Sequence, residues 1–246
     1  MTYLSIVIPA YNESQAIKSG KLAQIKEWMK VQSFISELVV VDDGSLDGTA
    51  DLAEPLVDRL VRRPHEGKAF AIMEGIRHSK GEIVLFTDMD QATPISEANK
   101  LLNAISDSSD IAIGSRGFQR PDAPLGRYVL SFGMIVLRTP LLGFRFVDTQ
   151  CGFKAFTRKA AIEILDALQI YNPANANHVL GPLVTSGFDV EFLLVAERLG
   201  FLIREEKVVW NYNQTRRVNL GKEMWRGGLD LLKILLFDLM GKYPNI

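Results

Sequence analysis

Short runs of apolar, often β-branched residues alternate along this chain with longer segments of helical period. Each run is too short for a helix and holds few polar positions, which predicts a strand buried on both faces. These strands are Leu4–Pro9, Glu37–Asp42, Ile83–Phe86 and Asp110–Gly114, and Arg59–Arg62 is a shorter candidate. The predicted helices end near Lys30, begin near Gly48, span Glu66–Ser79 and run from Pro94 to about Ser106.

The alternation of strands and helices predicts an α/β fold, with a mostly parallel sheet flanked by helices. The chain has 246 residues, of which 47% are hydrophobic and 23% charged, enough for one domain with a substantial core. No repeat, low-complexity tract or linker divides it. We therefore expect a single domain over 1–246, with a core over 1–220 and a C-terminal amphipathic helical extension over 221–246.

Charge and cysteine content narrow the setting of the protein. The formal net charge is −1, so no overall field draws the chain to nucleic acid. The single cysteine, Cys151, excludes an internal disulfide and suits a reducing compartment. A strand begins almost at Met1, and no stretch has the roughly 18 uninterrupted apolar residues of a membrane span. We expect a cytoplasmic protein without a signal peptide or a membrane-spanning helix.

Two carboxylates, Asp88 and Asp90, follow the predicted strand Ile83–Phe86. Side chains at this spacing point to one side of an extended chain, where two carboxylates repel unless a proton or cation lies between them. Such oxygen ligands suit Mg²⁺ or Mn²⁺, which proteins hold through one or two carboxylates and substrate phosphates. One interpretation is a metal–diphosphate site. The other is an acidic turn before a helix that Thr93 caps and Pro94 begins.

Acidic loops follow three of the predicted parallel strands, at Glu13, at Asp42 and Asp43, and at Asp88 and Asp90. Ligands of such sheets bind beyond the carboxyl ends of the strands, so these loops are expected to meet there. The glycine-rich motifs of dinucleotide-binding folds and of P-loops are both missing after the first strand. A phosphate site in this chain is therefore expected to be built from a metal and carboxylates.

Several motifs occur in an order that resembles the family 2 glycosyltransferases with the GT-A fold. They are Ile6–Glu13, Val40–Ser45, Gly67–Lys68, Thr87–Asp90, Gly114–Arg116, Asp148–Lys154 and Phe188–Glu191. The last three resemble the polyprenyl-phosphate branch, which includes dolichyl-phosphate glucosyltransferases and mannose synthases. The sequence Gln91-Ala92-Thr93 is closer to the glucosyltransferases and leaves a third protein ligand of the metal unassigned.

The resemblance implies a nucleotide pocket at the ends of the first two strands. It assigns the nucleotide to Asp42, with Pro9, Tyr11 and Glu13 completing the pocket. Asp43 offers a further carboxylate to the donors of a base or ribose. Turn and helix-start chemistry is the alternative for Tyr11 and Glu13.

The diphosphate and the metal are expected beside the acidic pair. Asp88 and Asp90 would hold Mg²⁺ or Mn²⁺, with Met89 between them at the nucleotide and Asp90 in the catalytic role. Lys68, early in a helix, is expected to approach the diphosphate, and a solvated lysine is the alternative. The resemblance implies inversion at the sugar carbon.

Arginines between residues 116 and 138 indicate a phosphate-bearing acceptor, because arginine binds phosphate bidentately. The residues assigned to the acceptor phosphate are Arg116, Arg127, Ser131 and Arg216, with Arg116 also counted as catalytic. Arg216 and Arg217 lie in Asn211–Lys222, which is expected to form a lid, and the resemblance makes one of them a further phosphate contact. Ordinary ion pairing at the surface is the alternative for the arginines.

The resemblance implies a sugar pocket lined by Asp148 and Gln150, and Asp189 is expected to bind the sugar there and is also counted as catalytic. A lipid phosphate is already anionic near neutral pH, so its attack needs no general base. Asp189 or Glu191 would serve as a base only if the acceptor were a sugar hydroxyl. Cys151 is expected to be a small packing residue, and His65 a loop histidine.

The sequence thus predicts an inverting, metal-dependent transfer of a hexose to a polyprenyl or dolichyl monophosphate, with UDP-glucose favoured as donor by resemblance. A second hypothesis is a family 2 transferase that acts on a sugar hydroxyl, and a third is a GDP-mannose-dependent enzyme. A non-catalytic nucleotide-sugar binding protein is the alternative of another class.

The C-terminal segment Glu223–Met240 has helical period and a broad apolar face. That face is expected to pack on the core, to pair two copies in a homodimer, or to lie in a membrane interface. The same alternatives hold for Tyr128–Phe144. A lipid acceptor would have to be reached by peripheral association with a membrane surface.

Overall fold

A computed structural model of the chain describes residues 2–117, 143–144, 146–172, 174, 186–211 and 220–244, including the side chains of 187–211 and 227–244 in the last two ranges. Seven strands of this part form one sheet. In chain order they are β1 (Leu4–Ala10), β2 (Ser36–Asp42), β3 (Arg59–Arg62), β4 (Ile83–Phe86), β5 (Ile111–Ser115), β6 (Lys154–Thr157) and β7 (Ile203–Lys207). The helices are α1 (Ser14–Lys18), α2 (Lys21–Lys30), α3 (Thr49–Ala53), α4 (Lys68–His78), α5 (Ala98–Ser106), α6 (Arg158–Ala167), α7 (Ser186–Arg198) and α8 (Leu220–Leu239).

The sheet is mostly parallel, as predicted, and its strand order is β3-β2-β1-β4-β6-β5-β7. β1 pairs in parallel with β2 on one side and β4 on the other, and β5 pairs in parallel with β7. β6 is the exception, since it lies antiparallel between β4 and β5. Its first residue is therefore at the edge where the parallel strands end.

Both faces of the sheet are covered, which explains the continuous apolar runs of its central strands. Alternate side chains of β1 enter different layers: Val7 packs in one core cluster, and Ile6 and Ile8 in the other. Residues of α4, α6 and α7 share the cluster of Val7, whereas α1, α2, α3 and α5 contribute to that of Ile6. The strands are thereby fixed, and the loops at their ends are left to carry chemistry.

One predicted helical segment is divided in the structure, and another helix starts later than predicted. The helix ending at Lys30 is two helices, because Gly20 adopts a left-handed conformation with φ of 83°. Pro94 has an extended conformation and precedes a 3₁₀ turn at Ile95–Glu97, so it is not helical, and α5 starts at Ala98. The buried Thr93 is not an N-cap, since Pro94 takes that position in the 3₁₀ turn and Glu97 takes it in α5.

The C-terminal helix α8 packs against α7 and the segment before it. The guanidinium of Arg198 binds both carboxylate oxygens of Asp238, at 3.0 and 2.6 Å. Tyr171 donates its hydroxyl to Asp230 at 2.8 Å, and Leu231 and Ile234 are buried. The single broad apolar face predicted from sequence is thus divided, since other leucines of α8 point outward. No described helix combines the length and apolar character that a membrane crossing requires.

Candidate active site

The chemically distinctive side chains lie at one edge of the sheet. β1 ends before Tyr11, β2 ends in Asp42, and β4 ends before the acidic pair. β5 ends immediately before Arg116. Because β6 is antiparallel, the loop leading into it, residues 148–153, reaches the same edge. The topology therefore brings together motifs that are distant in sequence.

Asp42 and its neighbour Asp43 have different surroundings. Oδ2 of Asp42 accepts a hydrogen bond from the Ser45 amide at 3.2 Å, whereas its buried Oδ1 has no partner among the described residues. Asp43 accepts from the amides of Glu66 and Gly67 at 3.1 and 2.8 Å. A buried polar atom without a partner is costly, so Asp42 is the carboxylate with capacity for a ligand donor.

His65 is part of this corner of the site, although the sequence indicated only a loop histidine. Its Nδ1 lies 2.7 Å from Oδ2 of Asp43. Its ring stacks on Tyr11 with centroids 3.8 Å apart and planes within 4° of parallel. Asp43 thus anchors the loop before α4, and the loop in turn supports the ring of Tyr11.

The loop after β1 is fastened to the loop after β2. The amides of Asn12 and Glu13 donate to the hydroxyls of Ser45 and Thr49 at 2.9 and 2.8 Å. The side-chain oxygen Oδ1 of Asn12 accepts a hydrogen bond from the backbone amide of Leu46 at 2.9 Å. These cross-links hold the two halves of the predicted nucleotide pocket together, with Pro9 inside β1 and Glu13 at the start of α1.

The acidic pair lies beside a lysine. Nζ of Lys68 is 2.5 Å from Oδ1 of Asp88, and Oδ1 of Asp90 accepts the Ala92 amide at 3.0 Å. The side chain of Met89 is fully buried in the apolar cluster, which leaves only its backbone to contact a nucleotide. A Cβ at Gly152 would lie 2.5 Å from Oδ2 of Asp88, so the loop before β6 presses directly on this carboxylate.

The donor atoms of this corner suit a divalent metal. Asp88 and Asp90 supply hard oxygens, which Mg²⁺ and Mn²⁺ prefer. No cluster of three His, Cys, Asp or Glu side chains with metal-binding spacing occurs in the described part of the chain. Two carboxylates fit an ion that takes its other ligands from substrate phosphates and water.

Arg116, directly after β5, and Asp148, in the loop before β6, form a bidentate ion pair. Nε and an NH₂ group of Arg116 each lie 2.7 Å from a carboxylate oxygen of Asp148, and the Arg116 amide donates to the same carboxylate. Burial tends to lower the pKa of Arg116, but the charge of Asp148 outweighs it and raises the pKa. The guanidinium also lies 5.8 Å from the ring centre of Trp210. Glu205 accepts the Asp148 amide at 2.8 Å and holds this loop in place.

Lys154 is a buried site residue that the sequence analysis did not assign. It donates to Oδ1 of Asp189 at 2.6 Å and to the carbonyl oxygen of Cys151 at 2.5 Å. The side chain is 1% exposed, against 20% for Asp189. Its signal was a lone lysine in the apolar stretch from Phe153 to Phe156.

Glu191 has a structural role, which removes it as a candidate base. Its fully buried carboxylate accepts hydrogen bonds from three consecutive amides, those of Gln169, Ile170 and Tyr171, and from the hydroxyl of Tyr243. The predicted sugar-pocket residue Gln150 is half-buried in the loop beside Asp148. Cys151 is buried, which together with nearby Asp148 raises the pKa of its thiol to about 11.

Three predicted acceptor residues, Arg127, Ser131 and Arg216, lie outside the described residues. Most of Tyr128–Phe144 and of the predicted lid over Asn211–Lys222 does so as well. The described site therefore contains the predicted donor side and one of the four predicted acceptor-phosphate residues, Arg116.

Comparisons with known proteins identify similar sequences. The Trichomonas vaginalis protein named dolichyl-phosphate beta-glucosyltransferase ALG5D is 31% identical over 255 residues, covering 96% of this chain and 73% of that protein. The human dolichyl-phosphate beta-glucosyltransferase is 31% identical over 266 residues, covering 98% of this chain and 77% of its own. Both matches extend over nearly the whole chain.

Solved structures share the fold at lower identity. Glucosyl-3-phosphoglycerate synthase from Mycobacterium tuberculosis, crystallised with Mn²⁺, UDP and glucosyl-3-phosphoglycerate, superposes with a TM-score of 0.68 and 21% identity over 95% of this chain and 80% of its own. Mannosyl-3-phosphoglycerate synthase from Rubrobacter xylanophilus has a TM-score of 0.69 at 16% identity, covering 100% and 77%. The model of the family described as Glycosyl transferase family 2 matches residues 5–165. With its acidic strand ends and these matches, the chain belongs to the family 2 glycosyltransferases and has their GT-A-like fold.

Proposed function

We propose that this glycosyltransferase moves glucose from UDP-glucose to a polyprenyl monophosphate of the dolichyl type, with inversion and with a divalent metal. The observation that carries the proposal is the meeting of Asp42, Lys68, the acidic pair and the Arg116–Asp148 pair at one sheet edge. Relatives named dolichyl-phosphate beta-glucosyltransferase, matched over nearly the whole chain, support the choice of sugar and acceptor.

On the donor side, Asp42 offers its unpartnered oxygen to an N–H or O–H of the nucleoside. Tyr11, supported from behind by His65, gives a flat surface beside it. Lys68 follows Gly67 at the start of α4, where its ammonium and the helix N-terminus both favour a diphosphate.

Asp88 and Asp90 would hold the metal on the diphosphate side. A divalent ion bound there neutralises the charge that develops on the departing nucleoside diphosphate. Lys68 now pairs with Asp88 and is close enough to share that task. Gly152 keeps room for the Asp88 carboxylate, since any larger residue would collide with it.

On the acceptor side, a lipid phosphate brings its own anionic oxygen, so no protein base has to remove a proton. The arrangement of acids supports this: Glu191 is engaged by four donors and Asp189 by Lys154. Arg116 is the described cation suited to orient the phosphate, while Asp148 fixes its guanidinium plane.

The direct test is incubation of the purified protein with Mn²⁺, a short polyprenyl phosphate and either UDP-glucose or GDP-mannose. We expect a glucosyl lipid from UDP-glucose, no product from GDP-mannose, and no turnover after chelation of the metal. Transfer from GDP-mannose alone would favour the mannosyltransferase hypothesis. Transfer only to added saccharides would favour the hydroxyl acceptor, and nucleotide binding without any product would indicate a non-catalytic protein.

A polyprenyl phosphate resides in a membrane, so the proposed reaction takes place at a membrane surface. The protein would therefore associate peripherally with the bilayer during turnover. A homodimer is a separate proposal that the same preparations can examine by light scattering.

A further inference from the structure

The outward surface of α8 is apolar, the reverse of what a solvent-facing helix normally shows. Its residues recur at intervals of three or four positions and are between 42% and 83% exposed. They are Leu229, Leu232, Leu236, Leu239 and, directly after the helix, Met240. We call these five residues the outer α8 face. An exposed apolar patch of this kind marks an interaction surface.

The inward surface of the same helix is packed against the rest of the protein. Leu231 and Ile234 are buried in the core cluster, and the two acidic side chains described on α8 are engaged there. Asp230 accepts the hydroxyl of Tyr171, and Asp238 is held by Arg198. Core packing of α8 therefore accounts for one side of the helix and leaves the outer α8 face unexplained.

The charged side chains on and directly after α8 also differ between its inward and outward sides. Both described carboxylates of α8 are tied to partners on the inward side, whereas the exposed charged side chains are Lys233 and Lys242. Lys242 lies over the ring of Phe237, at 4.2 Å from its centre. A surface with leucines in the middle and lysines beside them matches an anionic bilayer interface.

A second copy of the chain is a poorer match. Stable protein interfaces use about 20–30 residues a side, and the outer α8 face has five. Lysines beside a self-associating patch would also repel their counterparts. A bilayer needs no interface of this size, since apolar side chains can enter it singly. It also avoids the repulsion, because the lysines remain at its surface.

The outer α8 face is also tied to the candidate site. A Cβ at Gly187 would lie 2.5 Å from Cβ of Asp230, so the first turn of α7 touches α8 closely. Asp189 lies in that same turn. A membrane under α8 would thus be near the end of α7 that carries a sugar-pocket residue.

We infer that the outer α8 face seats this protein on an anionic membrane, which presents the lipid acceptor to the site. Delivery of the acceptor rests on the proposed function, but membrane binding can be measured without it. The bilayer contact is thereby assigned to α8, a surface helix. The described part of α8 is not long and apolar enough to cross a membrane.

The test is flotation with vesicles made of equal parts phosphatidylcholine and phosphatidylglycerol, and with vesicles of phosphatidylcholine alone. The wild type should float with the anionic vesicles and less with the neutral ones. The variant Leu232→Gln/Leu236→Gln should lose about tenfold or more of its binding, because two leucine side chains no longer enter the bilayer. The matched control is Val31→Gln/Ile35→Gln, which changes two exposed apolar residues elsewhere and should float like the wild type.

Three results would overturn the inference: a wild type that does not float, a Leu232→Gln/Leu236→Gln variant that floats equally well, or a dimer that this variant breaks without any change in flotation. Glucosyl transfer to a short polyprenyl phosphate in solution separates the two proposals. That transfer should be equal in the wild type and the variant. If it is missing in both while flotation behaves as expected, the proposed function fails and the membrane surface stands.

Discussion

The ammonium of Lys154 lies 2.6 Å from the carboxylate of Asp189 and joins the start of β6 to the first turn of α7. The lysine is fully buried, with its nitrogen 5.1 Å from the ring centre of Phe86. A cation in such a place is stable only with its partner, so the pair fixes where Asp189 points.

Breaking this pair should destabilise the protein and stop transfer. Lys154→Met leaves the Asp189 carboxylate unpaired, and we expect the free energy of unfolding in urea to fall by about 3–5 kcal/mol. The double variant Lys154→Met/Asp189→Asn removes both charges and should regain most of that stability. Transfer should remain low in the double variant, because Asp189→Asn removes the carboxylate that we assign to the sugar pocket. A double variant with wild-type turnover would show that the pair serves stability alone.

The unpartnered oxygen of Asp42 predicts a loss of nucleotide affinity on substitution. A hydrogen bond to a charged group contributes about 1.5–3 kcal/mol, so Asp42→Ala should raise the Kd for UDP roughly ten- to a hundredfold. Calorimetric titration with UDP measures this directly. Asp51→Ala, on the exposed start of α3, is the matched control and should bind UDP like the wild type. Equal affinity for UDP in both variants would remove Asp42 from the nucleotide pocket.

Metal dependence should reside in the acidic pair. Asp90→Asn keeps the hydrogen bond to the Ala92 amide within reach but removes a charged ligand. We expect transfer to fall about a hundredfold or more, since a bound metal contributes several kcal/mol to the stability of the transition state. The fold should persist, as judged by circular dichroism, because one of two neighbouring negative charges is gone. Unchanged Mn²⁺ binding in the presence of UDP would contradict the assignment.

The Arg116–Asp148 pair predicts a separation of kinetic constants. Arg116→Lys keeps the charge but loses the fork that binds Asp148 through two nitrogens. If Arg116 orients the acceptor phosphate, the KM for polyprenyl phosphate should rise several-fold more than the KM for UDP-glucose. Steady-state kinetics with each substrate varied in turn gives both values. Equal changes in the two constants would place Arg116 outside the acceptor site.

The thiol of Cys151 should respond to pH through folding rather than reactivity. Burial raises the pKa of this thiol to about 11 from its ordinary value of 9.0, so it stays protonated and slow toward iodoacetamide near neutral pH. Since the folded state keeps this proton longer than the unfolded state, its contribution to stability is complete below pH 9 and is lost as the pH rises toward 11. The free energy of unfolding should fall less steeply over this range in Cys151→Ala. Rapid alkylation of the native wild type at neutral pH would contradict the burial.

The rate of transfer to a membrane-bound acceptor should depend on salt, which follows from the outer α8 face. With polyprenyl phosphate embedded in anionic vesicles, added salt should slow transfer, because it screens Lys233 and Lys242 from the lipid head groups. With a short acceptor in solution, the same salt should change the rate far less. A comparison of the two salt series isolates the membrane contribution.

The sequence alone determined five of the seven described strands and the acidic loops. Central strands buried on both faces must be continuously apolar, and carboxylates directly after such strands have to lie at the sheet edge. Ile83–Phe86 and the pair after it could therefore be located by pattern. The antiparallel β6 was missed, because its Lys154 interrupts an otherwise apolar run and hydrophobicity along the chain does not encode strand direction.

The tertiary structure decided which of the acids are available and what α8 does. Asp43, Asp189 and Glu191 are engaged by donors that are distant in the sequence, whereas Asp42 accepts only from the nearby Ser45 amide and keeps one oxygen without a partner among the described residues. Periodicity assigned the leucines of α8 to one broad face, whereas contact with α7 buries Leu231 and Ile234 and leaves Leu232 and Leu236 outside. Local pattern fixes the character of each element, but the partner of a carboxylate or of a leucine is set by packing between elements.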